Sequence, residues 1–296
     1  MYEITNLTLR SIKIFIRDKT AVFFSFLSII ILLALYFLFI GKSYGSGLDF
    51  IDPKLVSFLV TSQMMGGVLV INTLTLSLGV VGNFIGDMEQ RRLDAFLVTP
   101  VKRYKIILSY YFSAIIVTLF FSFIMWLVTI LYVYVNTGYF YGIGIILKVS
   151  GLLVFYTFIS TSIMIFIISF LKSVNAFGTL SGVLGTFVGF ASGIYMPLVQ
   201  LGSVVQKVAS VIPFTHMTIL LKRIMLEVPY ETVLKQNFGD TEAQQVVDDI
   251  AVYYGTNEIG LFGLDVNLTV LLGLCSLLAV GVLILTTYRI SKRMGK

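Results

Sequence analysis

The sequence predicts an all-α membrane protein. It has six transmembrane helices, an N-terminal amphipathic surface helix, and a re-entrant extracellular helical hairpin between spans five and six. Three observations carry this. Of 296 residues, 57% are hydrophobic and 12% charged, with a mean hydropathy of +0.96, whereas soluble domains carry about 25% charged residues. The apolar residues come in runs of roughly 20 to 30, the length that crosses a hydrocarbon core of about 30 Å. The basic residues gather at the ends of those runs, which is the positive-inside pattern.

The same composition narrows the function classes. Cys275 is the single cysteine and lies in an apolar run, so no internal disulfide forms and the thiol reads as a small buried hydrophobe. His216 is the single histidine, which argues against a zinc site or a catalytic triad built on this chain alone. The net charge of +6 does not point to nucleic acid, because the cations sit at membrane boundaries and form no patch or stripe.

In chain order, residues 1–19 form the surface helix. Glu3, Asn6, Arg10, Lys13 and Arg17 step by three and four and share a face. Ile4, Ile12, Phe15 and Ile16 lie mostly opposite, the pattern of a helix lying on a membrane. The basic start also resembles the head of a signal peptide, but the apolar run behind it is too long for one, so 20–41 is span one. Gly41-Lys42-Ser43 imitates the tail of a phosphate-binding loop. Tyr36 stands where that motif needs its first glycine, and no complete nucleotide-binding loop occurs elsewhere. Span two covers 55–85, about 45 Å long, so it tilts or projects; Gly66-Gly67 offers a bend.

Residues 86–105 form a charged island, Gly86-Asp87-Met88-Glu89-Gln90-Arg91-Arg92-Leu93-Asp94-Ala95-Phe96-Leu97-Val98-Thr99-Pro100 onward. At about 100° per residue, Leu93, Phe96 and Leu97 share one side of a helix, and Gln90, Arg91 and Asp94 the other. Asp87 and Arg91, and Glu89 and Arg92, are spaced as helical ion pairs; Pro100 ends the helix, with Thr99 extended before it. Two readings stand. One is a cytoplasmic coupling helix that passes force to and from a separate motor subunit; the other is an ordinary solvated loop made basic by topology.

Span three is 106–135. The turn Asn136-Thr137-Gly138 leads to span four at 143–171, where Lys148 can snorkel to the interface. Span five, 176–197, carries Gly178, Gly182, Gly185, Gly189 and Gly193. Their spacing of three and four allows close helix packing; a sliding or hinging surface is the sharper reading. Residues 198–265 form the extracellular hairpin and cap. An amphipathic piece from Leu201 stops at Pro213, a second short helix covers 215–226, and 227–262 is a polar ordered cap. Span six is 266–288.

With both termini cytoplasmic, 14 of the 21 Lys and Arg lie in residues 1–19, 86–105, 172 and 289–296, in the direction the positive-inside rule requires. No Asp, Glu, Lys or Arg lies mid-membrane in any span. This argues against an ion-driven carrier and against an intramembrane enzyme. Gln63 and Asn72 read as interhelical glue. The 25 Phe and 16 Tyr belong to interface belts, or to a wall that accepts an amphipathic or lipid-like substrate. Energy then comes from a separate ATPase, or transport is downhill.

The order of elements and two motifs resemble the permease subunits of ABC-2-type (ATP-binding-cassette) exporters. In the island, Glu89, Leu93, Asp94, Leu97, Thr99 and Pro100 fit the family pattern, while Arg91-Arg92 replaces its Gly-Thr. Ser192-Gly193-Ile194-Tyr195-Met196-Pro197, followed by Ile212-Pro213-Phe214-Thr215-His216, is similar to the family's span-five exit and hairpin. The resemblance implies a dimer with a second permease copy around a central pathway, in the plasma membrane. Each copy would rest on an ABC ATPase subunit, which binds the ATP and Mg; this chain itself has no cofactor, metal or catalytic residue. The partner contact then falls on Glu89, Gln90, Arg91, Arg92, Leu93, Asp94, Phe96, Leu97 and Thr99. Pro197, Pro213 and His216 mark the hairpin, with His216 structural before substrate-binding. A non-ATP facilitator or a membrane scaffold is the alternative, and the substrate is not legible.

Overall fold

The computed structural model describes residues 2–35, 45, 47–48, 50–191, 193, 202–235, 240–256 and 268–293. Eleven helices make up the regular structure of these residues. The surface helix α1, Tyr2–Arg17, ends at Asp18. The Asp18 side chain accepts the Ala21 N–H at 2.9 Å, capping α2, Lys19–Leu35. The rest of the expected first span, 36–41, lies outside the described residues.

The central element is α3, Pro53–Glu89. Pro53 opens it and Asp52 accepts the Lys54 N–H at 3.1 Å, which suits a proline in the first turn. At about 1.5 Å per residue it rises roughly 55 Å, so it runs well past a membrane core. It packs against α1 and α2 and against four later helices. These are α5 (Arg103–Thr137), α6 (Ile143–Ile168), α7 (Val174–Ala191) and α9 (Pro213–Leu234). That encirclement explains why α3 is apolar all round and buried along nearly its whole length.

Four described helices are long and apolar enough to cross a membrane: α3, α5, α6 and α11 (Leu268–Arg293). The short α8, Ser203–Ser210, joins α9 at a bend of 93°; counted as one span, that pair makes five. In α2 and α7, which the six-span expectation also needs, the described helices have 17 and 18 residues.

Two expectations change in the hairpin. The second helix, expected over 215–226, runs over Pro213–Leu234 and passes through Pro229. The polar cap contains α10, Asp240–Tyr253, because Ala243, Val247, Ile250 and Tyr254 form a buried stripe at helical spacing. α10 packs on α9. Lys148 of α6 pairs with Glu227 of α9 at 2.8 Å.

The core is sewn by buried hydroxyls and one amide. Ser62 bonds Tyr141 at 2.7 Å, the Asn72 amide donates to Ser122 at 3.0 Å, and Thr73 meets Ser160 at 3.0 Å. Ser77 meets Thr161 at 2.8 Å. Such interhelical bonds average about 0.6 kcal/mol each in membranes, so they specify register more than they stabilise. Gly66 does not break α3. It lets α9 approach, since a Cβ there would lie 3.1 Å from the backbone N and Cα of Lys222.

Candidate functional site

The charged island is a sharp reversal, not the single helix expected. α3 runs on through Glu89, and Arg91 then takes a left-handed φ of +55°. The N–H groups of Arg92 and Leu93 both turn back to the Asp87 carbonyl, at 2.8 and 3.3 Å. One helical turn follows, α4 at Asp94–Leu97. The Thr99 hydroxyl donates to the Phe96 carbonyl at 2.6 Å, and α5 begins at Arg103 after Pro100. Because the helix stops before Arg91, the Asp87–Arg91 and Glu89–Arg92 spacings no longer describe helical pairs.

The ion pairs are instead tertiary. The Asp87 carboxylate is 3% exposed. It accepts Arg10 Nη1 of α1 at 2.8 Å, the Tyr110 hydroxyl of α5 at 2.5 Å, and Arg92 Nη1 at 3.4 Å. The Arg10 guanidinium also lies 5.1 Å from the Phe96 ring centroid, within cation–π range. One carboxylate thus ties the surface helix, the end of α3, the start of α5 and the turn. Arg10 reads in the sequence as one cation of the surface-helix face and Tyr110 as part of span three; contacts across 77 and 23 residues leave no local spacing that would pair either with Asp87.

The remaining expected contact residues divide. Leu93 is buried and Phe96 half-buried, rooting the turn. Glu89 is exposed, but its carboxylate accepts the Val174 N–H at 3.1 Å and caps α7. Gln90, Arg91, Arg92, Asp94 and Thr99 are exposed. The Leu97 side chain lies outside the described residues. Val98, not anticipated, is 87% exposed at the tip, an apolar knob among charges.

At the other end of the bundle, His216 is buried and its Nε2 donates to the Ser210 carbonyl at 2.7 Å. This bridges the α8–α9 corner that begins at Pro213. Pro197 lies outside the described residues. Lys222, also not anticipated, is 2% exposed and donates to the Gly193 carbonyl at 2.9 Å. Gly193 takes φ +68°, and its carbonyl belongs to the exit of α7. Lys222 sits in a stretch that reads as a peripheral hairpin, so the sequence carried no sign that its ammonium would be enclosed.

The α7 glycines face open space. Among the described residues, no side chain or neighbouring helix comes within 4 Å of a Cβ built at Gly178, Gly182 or Gly185. With Phe24 and Ser25 of α2 and Thr75 of α3 they line a cavity of about 850 Å³. Gly189 is buried. The cavity's hydroxyls are occupied by their own helices: Ser25 donates to the Ala21 carbonyl at 2.8 Å, Thr75 to Ile71 at 3.0 Å, Ser181 to Phe177 at 2.8 Å and Thr186 to Gly182 at 3.2 Å. Among the described residues, no charged side chain lines it.

A helical bundle with several membrane-length apolar helices, a rooted polar turn at one end and a bent hairpin at the other has the make-up of a multi-pass membrane protein. The family model of the ABC-2 type transporter matches residues 2–226, and the chain belongs to that family. That family is the transmembrane permease domain of ABC transporters, a domain distinct from their nucleotide-binding cassette. No curated protein matches the sequence. Arg91 occupies the glycine place of the family's island motif, and that is the position with φ +55°. A non-glycine residue there costs about 1 kcal/mol. Arg91→Gly is therefore expected to raise the unfolding midpoint in detergent, by up to about 1 kcal/mol of stability; Arg91→Val should lower it.

Proposed function

We propose that the chain is the permease subunit of an ATP-driven exporter, working as a pair of copies and coupled to a separate ATPase subunit. The observation that carries this is the turn between α3 and α5. Its inner side is fixed by Asp87 and Leu93, while Gln90, Arg91, Asp94, Val98 and Thr99 face solvent as one small surface. A mere solvated loop has no need of a buried carboxylate with three partners. In this reading the turn and both termini are cytoplasmic, α2 and α7 complete six spans in the plasma membrane, and α8–α9 is the extracellular hairpin. The partner binds ATP and Mg.

The cavity between α2, α3 and α7 is then half of the pathway. A second copy would close it against the α7 glycines, where small residues allow backbones to approach.

The test is copurification with a candidate ABC ATPase co-expressed with this chain. Glu89 and Arg92 have intrachain bonds, so Asp94→Lys/Val98→Asp is the better probe. The expected result is at least a tenfold loss of bound ATPase with an unchanged melting curve. A complex that survives the double variant would move the docking surface elsewhere. No ATPase partner under any condition would favour a downhill facilitator or a scaffold.

A further inference from the structure

We propose that the outward face of α1 is a docking surface for anionic lipid headgroups, and that through Arg10 it sets the position of the turn at 90–99. This rests on the membrane placement of α1 proposed above and goes beyond it to a lipid class and a regulatory consequence.

The packing of α1 differs from its sequence pattern in an informative way. Its buried side is Thr8, Ser11 and Phe15, turned to α5 and α3. The helix therefore does not spend its apolar side on lipid. What remains outside is a mixed face. Tyr2, Leu9 and Ile16 are 82%, 48% and 52% exposed, and Lys13 and Arg17 are exposed between and beside them. At about 100° per residue these five lie within roughly 60° of one direction. Apolar side chains flanked by cations on one face are what an interfacial helix presents to anionic lipid.

The charge is available. Lys13, Arg17 and the adjacent Lys19 have no ion pair or side-chain hydrogen bond among the described residues, whereas the neighbouring cations are engaged. Arg10 is held by Asp87 and Lys105 by Glu3. That mutual hydrogen bond holds the Glu3 carboxyl below its ordinary range and raises Lys105. Asp18, the acid at the end of this face, uses one oxygen on the Ala21 N–H. Each cation close to an anionic surface is worth about fivefold in affinity, so the free cations on this face give a clear preference over neutral lipid.

The second half follows from Arg10. It lies at the edge of the lipid face and reaches inward to Asp87 and over Phe96. A shift of α1 toward or away from the headgroups therefore pulls on the carboxylate that closes the turn. No other described side chain of α1 is bonded to Asp87.

The experiment uses the full chain alone in nanodiscs of phosphatidylcholine, with and without 30% phosphatidylglycerol. Hydrogen exchange is followed over 2–17 and 90–99. The absence of an ATPase keeps the result independent of the partner assignment. The expected result is at least about threefold slower exchange in both segments with the anionic lipid. Lys13→Gln/Arg17→Gln should lose both effects while keeping the same melting curve, since both side chains are exposed. Arg10→Gln should keep the slowing in α1 and lose it in the turn. Equal exchange in the two lipids would overturn the proposal. So would slowing undiminished in the double variant, or slowing reproduced by soluble glycerol phosphate, which would mark a free-anion site. Slowing of α1 with an indifferent turn in the unsubstituted chain would overturn the link through Arg10.

Discussion

Asp87→Ala is expected to lower the stability of the purified chain by about 3 kcal/mol and to loosen the turn it closes. Removing one partner of a buried ion pair costs about 3–5 kcal/mol. The lower end applies because Arg10 keeps 31% of its side chain exposed and can recover water. The Tyr110 hydroxyl, buried with its ring against Phe84, has no such recourse and loses its acceptor. Unfolding in detergent gives the stability, and limited proteolysis at Arg91 and Arg92 reports the turn. Pairing the change with Arg10→Met should recover part of the loss, because the uncompensated charge is then gone. If Asp87→Ala alone left both measurements unchanged, the carboxylate would not be what holds the surface helix to the turn, and the lever through Arg10 would fail with it.

Gly66→Leu is expected to be at least as damaging, from the opposite end of α3. A Cβ at this position would sit 3.0 Å from Lys222 Cγ and 3.1 Å from its Cα and N. Two of those atoms are backbone, so relief requires α9 to move as a body. Overpacking of a close contact costs about 1–3 kcal/mol for small additions, and a leucine adds three further carbons. The displacement would also draw the Lys222 ammonium from the Gly193 carbonyl, leaving a buried cation without its acceptor. We expect Gly66→Ala to melt earlier but remain monodisperse, and Gly66→Leu to lose folded yield on size exclusion. A well-folded Gly66→Leu protein would mean that α9 is not packed against α3 at this crossing.

The membrane class was legible because it rests on sums: apolar run length and the placement of cations need no tertiary contact. The turn at 90–99 was located but misdrawn. Helical periodicity assigned Leu93 and Phe96 to the rooted side, where they are. It extended the helix through Arg91, where the chain takes a left-handed conformation. The clue was the Gly-Thr of the family motif: a glycine place signals positive φ even when an arginine fills it. Lys222 was invisible for another reason. A lysine beside Arg223 in a hairpin segment looks solvated, and only the arrival of α3 and the α7 exit encloses it.

The α7 glycines show the limit most plainly. Their spacing announces that something approaches closely, but spacing cannot say from which molecule. In the structure the close approaches within the chain are made by glycines of α3 instead. Gly66 meets α9, and a Cβ at Gly82 would lie 2.4 Å from the Phe177 ring. Gly178, Gly182 and Gly185 are left facing a cavity.

Run length, charge placement and a short motif are local properties, and they already mark an apolar helical protein of ABC-2 type with a charged turn between two overlong helices. The gathering of Arg10, Tyr110 and Arg92 on Asp87, the enclosure of Lys222 and the choice of which α1 face is left outside arise in the folded chain. Each of those depends on side chains brought together from distant positions, and α3, buried by its neighbours along its length, presents no single polar face from which its partners could be inferred.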